Sequence, residues 1–178
     1  MQNYQDLLSE ILIDEQTLQT RIAELGAQIS ADYADGNLLL ICILRGGVPF
    51  LVDLSRNITV PHMMDFMAVS SYGTGKRESS GYARVTLDLQ MNIRGKDVLL
   101  VEDIVDSGLT LAYIKALLEG RGPASLKICA LIDKPERRER DVSVDYCGFH
   151  VQEGFLVGYG LDCNEEFRNL PDICILKE

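Results

Sequence analysis

The sequence predicts an α/β fold in which an open, mostly parallel twisted sheet is flanked by helices. Short continuous apolar runs bounded by turn residues, at residues 38–44 (LLLICIL) and 126–132 (LKICALI), are typical of strands buried on both faces. A helical stripe lies between the apolar runs at 98–101 and 126–132. A strand, helix and strand in this order nearly always form a parallel pair with a right-handed crossover. At 178 residues, one domain is expected.

The first elements follow from helical and strand periodicities. Asp14 is a candidate N-cap for an amphipathic helix whose apolar positions are Leu18, Ile22, Leu25 and Ile29. The turn residues at 35–37 (DGN) end it, and the strand at 38–44 follows. Pro49 then stands near the start of a helix that runs toward Ile58, because proline is tolerated in a first helical turn.

A long polar segment divides the next two predicted strands. Residues 63–70 are an apolar run, and residues 83–89 (ARVTLDL) alternate with a period of two. Between them, residues 70–81 (SSYGTGKRESSG) are small, polar and rich in glycine. This segment is long enough to be a functional lid rather than a tight connection.

The C-terminal half repeats the strand and helix alternation. A strand at 98–101 precedes a helix with an apolar stripe at Leu111, Ile114, Leu117 and Leu118, and the turn residues at 120–123 (GRGP) stop that helix. The strand at 126–132 follows. Short strand-like pieces are expected within 142–151 and 155–159 and at 173–176.

Charge and composition exclude several classes of protein. The net charge of -10 disfavours nucleic-acid binding, and the basic cluster at 134–140 (KPERRER) is diluted by two glutamates, so a solvated loop is expected there. No apolar run is long enough to span a bilayer, and the N-terminal residues lack a basic segment before an apolar one. A cytoplasmic protein without a nucleic-acid or membrane partner is expected.

The cysteines and histidines predict no zinc site. The five cysteines are scattered, odd in number and without a C-x-x-C motif, which indicates reduced thiols that mostly fill the core. Only His62 and His150 are available, and their spacing fits no zinc site of the His/Cys type. Any metal is therefore expected to be bound by oxygen.

The functional residues are expected just past the strands, since ligands of open α/β sheets collect at the carboxyl ends. These positions are 45–47 (RGG), 102–110 (EDIVDSGLT), 133–134 (DK) and Asp162. Carboxylates can hold ribose hydroxyls or Mg²⁺, and a basic residue with glycine N–H groups can hold a phosphate. Residue chemistry alone thus predicts a nucleotide- or phosphate-binding α/β domain, with catalysis left open.

Five separated motifs carry a family resemblance. EDIVDSGLT at 102–110 resembles the phosphoribosyl-pyrophosphate motif of the type I phosphoribosyltransferases. LRGG at 44–47, SSYGTG at 70–75, LIDKP at 131–135 and FLVGYGLD at 155–162 stand in the order expected of hypoxanthine-guanine phosphoribosyltransferases. The resemblance extends from residue 38 to the C-terminus.

The resemblance implies a reaction and an architecture. A 6-oxopurine, hypoxanthine or guanine, would react with phosphoribosyl pyrophosphate to give IMP or GMP and pyrophosphate, in a Mg²⁺-dependent purine-salvage enzyme. The fold would be a core at about 38–140 with a small hood from the N-terminal segment and about 141–178. A homodimer or homotetramer is also implied.

The resemblance assigns the phosphoribosyl pyrophosphate site and its metals. Glu102 and Asp103 would contact the ribose hydroxyls directly or through Mg²⁺, and Asp106 would be the general base or proton partner of purine N7. Asp162 would hold a second Mg²⁺ through water. The 5-phosphate would be wrapped at a helix N-terminus by Ser107, Gly108, Leu109 and Thr110.

Pyrophosphate and lid contacts are implied as well. Arg45, which replaces the lysine of many relatives, and Gly46 would hold pyrophosphate, with a non-proline cis peptide between Leu44 and Arg45. Arg168 is a second pyrophosphate candidate. Many relatives have a polar residue where this chain has Leu109, so that the phosphate contacts here would come from backbone and hydroxyl groups. The lid would close through Ser71 and Tyr72.

The resemblance assigns four residues to the base site, Lys134, Phe155, Leu156 and Asp162. Lys134 would donate to the purine 6-oxo group, Phe155 would stack on the purine, and the Leu156 backbone would pair with its edge. Four of these residues have an alternative interpretation. For Asp106 it is a carboxylate stabilised by the helix dipole, and for Arg168 a surface ion pair. For Phe155 it is a core aromatic, and for Asp162 an ordinary turn acid.

Two other functions remain as alternatives. A xanthine-preferring relative differs only in how it reads the 2-position of the base. A pyrimidine-operon regulator of the same fold would bind RNA, but the acidic chain and the strings EDIVDSG and LIDKP count against it.

Overall fold

The computed structural model describes residues 4–71 and 83–177. Four α-helices, nine strands and one short 3-10 helix lie in these ranges. In chain order they are α1 (Tyr4–Leu7), β1 (Leu8–Ile13), α2 (Glu15–Asp32), β2 (Leu38–Leu44), α3 (Val48–Asn57), β3 (His62–Ser71), β4 (Ala83–Leu87), β5 (Asp97–Val105), α4 (Leu109–Glu119), β6 (Ser125–Asp133), the 3-10 helix (Pro135–Arg137), β7 (Tyr146–His150), β8 (Leu156–Val157) and β9 (Ile173–Leu176).

The main sheet confirms the predicted fold class. Its six strands lie in the order β4-β3-β2-β5-β6-β7, and every neighbouring pair is parallel except β3 and β4. The carboxyl ends of β2, β5 and β6 therefore meet at one edge, which places the motifs at 45–47, 102–110 and 133–134 side by side. The sheet also includes β7, so it extends beyond residue 140, near which the hood was expected to begin.

Both faces of the main sheet are covered, because successive side chains of β2 enter two separate cores. Leu40 and Cys42 pack with α2 and α3, through residues such as Ile22 and Phe50. Ile41 packs with α4 on the opposite face. This double burial is the reason that the strand reads as an uninterrupted apolar run.

The helix ends follow local hydrogen bonding. The Asp14 side chain accepts a hydrogen bond from Thr17 N at 2.7 Å, which confirms it as the N-cap of α2. Pro49 lies in the first turn of α3, as expected. Within the described ranges, no helix combines the length and apolar character that crossing a membrane requires.

A second, antiparallel sheet joins segments from the two ends of the chain, in the order β1-β9-β8. Its pairs include Ile13 with Ile173 and Leu156 with Ile175. The loop between β8 and β9, residues 158–172, reaches the functional edge of the main sheet. Tyr159 in this loop donates its hydroxyl to Asp53 Oδ2 of α3 at 2.6 Å.

All five cysteines are free thiols, as expected. Cys42, Cys129 and Cys174 are buried, whereas Cys147 and Cys163 are half-buried. The interpretation as core residues therefore applies to three of the five.

Candidate active site

Two glycines allow three backbone segments to meet at the carboxyl edge of the main sheet. A Cβ atom on Gly46 would overlap the Asp103 carboxylate, and one on Gly160 would overlap the Gly46 carbonyl. Gly160 also has φ of 98°, a left-handed conformation that favours glycine. The Leu44–Arg45 peptide is cis, as the resemblance implied. The close approach brings the 158–172 loop against the ends of β2 and β5.

Glu102 and Asp103 place two carboxyl groups at the end of β5. Burial, followed by the negative charge of Asp103, raises the pKa of Glu102 well above its usual value. Burial also raises the pKa of Asp103, although the Ile104 N–H, at 2.7 Å from Asp103 Oδ1, opposes the shift. Ionised carboxylates are costly here because protein groups compensate them incompletely. A bound cation or ribose hydroxyls would supply the missing partners.

Arg168 lies in the 158–172 loop and joins its parts. Arg168 Nη2 lies 2.8 Å from Asp162 Oδ1 and 3.0 Å from Glu165 Oε2, and Nη1 donates to Gly160 O at 2.8 Å. Arg45 Nη1 reaches the same Glu165 oxygen at 2.9 Å. Hydrogen bonding from Arg168 is the main cause that lowers the pKa of Glu165. The two predicted pyrophosphate residues are thus brought together by a glutamate that the sequence reading did not single out.

The first turn of α4 offers donors for an anion. Gly108 precedes the helix with φ of 78°, and Leu109 N lies 3.4 Å from Ser107 Oγ. A cavity of about 140 Å³ adjoins this turn, and its lining includes Ser107, Gly108, Thr110 and Glu102. Free N–H groups at a helix N-terminus favour a phosphate, and phosphate binding by this loop stays a prediction.

Asp106 stands between the anion loop and the base side. Its Oδ2 lies 3.3 Å from Arg137 Nη1. Its Oδ1 is buried and has no hydrogen-bond partner among the described residues. Arg138 Nη1 donates to the Asp106 carbonyl at 2.6 Å and its Nη2 contacts Asp133 Oδ1. Asp106 thus retains an acceptor atom for a ligand.

Lys134, the predicted base-binding lysine, follows the end of β6 at the same edge. Its side chain is 2% exposed, and Nζ donates to Gly154 O at 2.7 Å. Burial is the main cause that lowers its pKa. A cavity of about 450 Å³ opens beside it, lined by Lys134, Glu136, Arg137, Gln152, Glu153, Gly154 and Phe155.

The predicted base residues lie beside this cavity. Phe155 is 57% exposed, so the alternative that placed it in the core is wrong. Leu156 begins β8, with its side chain buried. The Phe155 carbonyl accepts a hydrogen bond from Leu176 N at 2.9 Å, which fixes the backbone at this point.

The edge of the main sheet therefore carries an anion loop, a carboxyl pair, two guanidinium groups and a lysine beside an open cavity. The sequence matches the model of the phosphoribosyl transferase domain over residues 9–164. The chain belongs to the phosphoribosyltransferase family.

Relatives of this phosphoribosyltransferase match along almost all of their length. A hypoxanthine-guanine phosphoribosyltransferase of Streptococcus thermophilus is 44% identical, with 96% of this chain and 94% of the relative covered. A hypoxanthine phosphoribosyltransferase of Salmonella typhimurium is 48% identical, with 91% and 92% covered. The crystal structure of a hypoxanthine phosphoribosyltransferase from Staphylococcus aureus superposes with a TM-score of 0.94 at 43% identity, covering 98% of this chain and 94% of the other. These findings confirm the family resemblance and the fold.

Three residues of this phosphoribosyltransferase that touch the site were not predicted from its sequence. Glu165 contacts Arg45, Arg137 contacts Asp106, and Arg138 contacts Asp133. The charged run at 134–140 predicts a solvated loop, whereas both arginines contact residues of the site. The spacing of Glu165 and Arg168, three residues apart, was the available signal for their ion pair. Of the predicted lid, Ser71 ends β3 and Tyr72 lies outside the described residues.

The residues of this phosphoribosyltransferase fit a magnesium ion. Glu102 and Asp103 supply adjacent carboxylate oxygens, the ligand type that Mg²⁺ prefers. Burial raises both pKa values, so a divalent cation beside the pair would offset the cost of ionising it. Asp162 is already engaged: Oδ1 contacts Arg168 at 2.8 Å and Oδ2 accepts from Glu165 N at 2.9 Å. A contribution of Asp162 through water fits these contacts better than direct ligation.

Proposed function

We propose that this phosphoribosyltransferase acts in purine salvage and transfers the 5-phosphoribosyl group from phosphoribosyl pyrophosphate to hypoxanthine and guanine. The products are IMP or GMP and pyrophosphate. The supporting observation is the arrangement of Asp106, with its unpartnered carboxylate oxygen, between the α4 anion loop and the cavity beside Lys134. Only a substrate with phosphate, sugar and base parts would use all three features. The names of the relatives support the same assignment.

The ribose carries the charge that the carboxylates would stabilise. As the bond to pyrophosphate breaks, positive charge develops at the anomeric carbon, as in glycoside chemistry. Glu102 and Asp103 would face the ribose hydroxyls from the end of β5, and preorganised negative charge lowers the barrier to such a cation. Mg²⁺ bound to these carboxylates would supply positive charge for the pyrophosphate oxygens.

Arg45 and Arg168 would bind the leaving pyrophosphate. Both guanidinium groups converge on Glu165 Oε2, so both lie within reach of one anion. A planar guanidinium offers forked donors to phosphate oxygens. The N–H of Gly46 lies at the same corner, since Gly46 approaches Asp103 and Gly160. Two guanidinium groups and a backbone N–H would thus offset the negative charge of the pyrophosphate beside Asp103.

Asp106 would receive the N7 proton of the base. Rotation of the half-buried carboxyl group would present its unpartnered Oδ1 to the base, where it would accept the proton. Arg137 Nη1 lies 3.3 Å from the other oxygen, so Oδ2 is held in an ion pair while Oδ1 is left for the base. Ser107, Gly108, Leu109 and Thr110 would meanwhile hold the 5-phosphate, so that the sugar is fixed relative to Asp106.

Lys134 would select the 6-oxo group. Its ammonium group now donates to Gly154 O and would donate to the 6-oxo oxygen of hypoxanthine or guanine. A 6-amino purine presents a donor to this donor and leaves it unpaired, a mismatch that strongly disfavours binding. Phe155, exposed beside the same cavity, would stack on the base, and the Leu156 backbone would contact its edge.

The rest of the assignment rests on the same family. We propose one domain with a hood formed by the sheet β1-β9-β8, a homodimer or homotetramer, Mg²⁺ dependence and a cytoplasmic location. Residues Ser71 and Tyr72 are proposed to close over the bound substrates, because the ribosyl cation must be shielded from water.

One assay tests the function. The purified chain is incubated with phosphoribosyl pyrophosphate, Mg²⁺ and one of hypoxanthine, guanine, xanthine, adenine or uracil, and pyrophosphate release is measured. We expect turnover with hypoxanthine and guanine and little with adenine or uracil. A clear preference for xanthine would favour the xanthine-type alternative. Absence of turnover with both hypoxanthine and guanine would overturn the proposal.

A further inference from the structure

Three side chains of different chemistry meet at the outer edge of the main sheet, on β6 and β7. His150 Nδ1 lies 3.4 Å from Asp133 Oδ2 and 3.8 Å from Cys147 Sγ. One ligand atom from each residue lies within 4.8 Å of the others. Asp133 and His150 are register partners on neighbouring strands, so the backbone itself holds them together. The cluster is therefore built into the sheet rather than into a loop.

The two distances from His150 Nδ1 are close to those between ligands of one tetrahedral metal ion, and the ligand atoms of Asp133 and Cys147 lie within 4.8 Å of each other. With metal bonds of about 2.0–2.2 Å to nitrogen or oxygen and about 2.3 Å to sulfur, tetrahedral ligands lie roughly 3.3–3.6 Å apart. The observed 3.4 and 3.8 Å separations need only small side-chain rotations to reach this range.

The same distances do not fit a Cys-His-Asp nucleophilic triad. Such a triad uses both imidazole nitrogens, one toward the nucleophile and the other toward the carboxylate. Here Cys147 and Asp133 approach the same nitrogen, Nδ1 of His150. Two ligands beside one nitrogen are what a shared cation requires.

The surroundings support a site that is anchored and still accessible. Asp133 is buried, and Arg138 Nη2 contacts its Oδ1 and leaves Oδ2 toward His150. In metal sites, a hydrogen bond to the carboxylate oxygen that does not bind the metal orients the ligating carboxylate. His150 is 69% exposed, which gives a cation a route from solvent and leaves a fourth position for water.

The ligand types select the ion. A thiolate and an imidazole with one carboxylate suit Zn²⁺, whereas Mg²⁺ requires oxygen ligands. We propose that Asp133, Cys147 and His150 form a binding site for one Zn²⁺ ion, separate from the carboxyl pair of Glu102 and Asp103. Binding replaces the thiol proton of Cys147, which passes to solvent. The proposal departs from the sequence-based expectation that any metal would be bound by oxygen, since no short motif joins these three residues.

The site adjoins the base side of the active edge. Asp133 directly precedes Lys134, and Asp133 O accepts a hydrogen bond from Val151 N at 3.0 Å. Arg138 links the Asp133 carboxylate to the Asp106 carbonyl. A Zn²⁺ ion would therefore join β6 to the end of β7 beside the lysine.

Direct metal binding tests the proposal without reference to activity. The metal-free full chain is titrated with Co²⁺, a spectroscopic substitute for Zn²⁺, and then with Zn²⁺ against a chromogenic chelator. With excess Mg²⁺ present throughout to occupy the carboxyl pair of Glu102 and Asp103, we expect one equivalent of Co²⁺, a thiolate-to-Co²⁺ charge-transfer band in the near ultraviolet and displacement of Co²⁺ by Zn²⁺.

Variants identify the ligands. Cys147→Ser should abolish the charge-transfer band, and His150→Ala, at an exposed position that folding tolerates, should weaken binding on the order of tenfold or more. Cys163→Ser, at the other half-buried cysteine, is the matched control and should leave the band unchanged. A band that survives Cys147→Ser, unaltered affinity in His150→Ala, or no saturable binding by the unsubstituted chain would overturn the site.

Discussion

Arg45 and Arg168 donate to one and the same atom, Oε2 of Glu165, at 2.9 and 3.0 Å. Arg45 follows β2 and Arg168 lies in the loop between β8 and β9, so this shared oxygen connects the main sheet to the hood segment. Both guanidinium groups would turn toward an anion that enters the same corner. Pyrophosphate would then replace Glu165 as the partner of both arginines, because exposed ion pairs are weak.

Arg45→Ala should therefore weaken phosphoribosyl pyrophosphate binding. A hydrogen bond to a charged group contributes about 1.5–3 kcal/mol, so we expect the KM for phosphoribosyl pyrophosphate to rise on the order of tenfold or more. The KM for hypoxanthine should change little, since Arg45 does not line the cavity beside Lys134. Steady-state kinetics with each substrate varied in turn measures both values.

Arg56→Ala is the control for the loss of one positive charge. Arg56 is an exposed residue of α3 that pairs with Asp53 at 3.6 Å. Equal rises in KM for the two variants would show that net charge, rather than contact with pyrophosphate, explains the effect of Arg45.

Asp106→Asn should slow the chemical step. An amide of the same shape keeps the packing and cannot accept the N7 proton, and general-base catalysis typically contributes about 10²–10⁴-fold. We expect kcat to fall within this range while the KM for phosphoribosyl pyrophosphate stays within about threefold. Asp88→Asn, which removes an exposed carboxylate paired with Arg121, is the control. Retention of wild-type kcat in Asp106→Asn would remove the proton-transfer role from this residue.

The sequence predicted the elements whose pattern is local. The run at 38–44 gave the bounds of β2, because a strand buried on both faces is apolar at each position. The predicted strand at 98–101 was shorter than β5, which continues to Val105. Glu102 and Asp103 lie within the strand itself and interrupt its apolar pattern. The pattern alone therefore ended the predicted strand at residue 101.

Contacts between distant segments were not readable from the sequence. Glu165 meets Arg45 only because Gly46 and Gly160 let two loops touch, and no spacing along the chain encodes that approach. Arg138 was assigned to a solvated loop because charged runs usually are solvated. The fold instead turns its guanidinium between Asp133 and the Asp106 carbonyl. Residue chemistry locates the candidate groups, and the sheet order decides which of them meet.

Gly46→Ala tests the close approach at the active edge. The added methyl group would overlap the Asp103 carboxylate, so Asp103 or the loop after β2 must shift. A displacement near 1 Å in a catalytic site can reduce the rate about 10²-fold, and we expect a loss of kcat/KM of this order. Circular dichroism should show that the helices and strands are retained.

Gly120→Ala separates the local effect from the general effect of replacing glycine. Gly120 ends α4 in a right-handed conformation, and its added Cβ would meet only ordinary contacts at 3.5 and 3.6 Å. This variant should keep wild-type activity. Comparable losses in both variants would contradict a specific role for the contact between Gly46 and Asp103.

Glu102→Gln should stabilise the chain at neutral pH while it impairs catalysis. The folded-state pKa of Glu102 lies well above its usual value of 4.5, mainly because of burial and then because of the negative charge of Asp103. A raised carboxyl pKa contributes stability that is fully present below the unfolded pKa and is lost as pH rises through the folded pKa. Glutamine has no proton to lose, so the variant should gain stability over the wild type as pH increases above about 4.5.

Thermal unfolding from pH 4 to pH 8, with and without Mg²⁺, measures this prediction. For a chain of this length, each kcal/mol corresponds to a shift in Tm of about 2–4 °C. Without Mg²⁺, the difference in Tm between Glu102→Gln and wild type should grow with pH. Added Mg²⁺ should raise the Tm of the wild type more than that of the variant, because the variant loses a carboxylate ligand.

Glu119→Gln, at the exposed far end of α4, is the control and should show neither effect. A Tm difference that is independent of pH would mean that the buried charge of Glu102 does not limit stability, and an equal response to Mg²⁺ would remove Glu102 from the metal site.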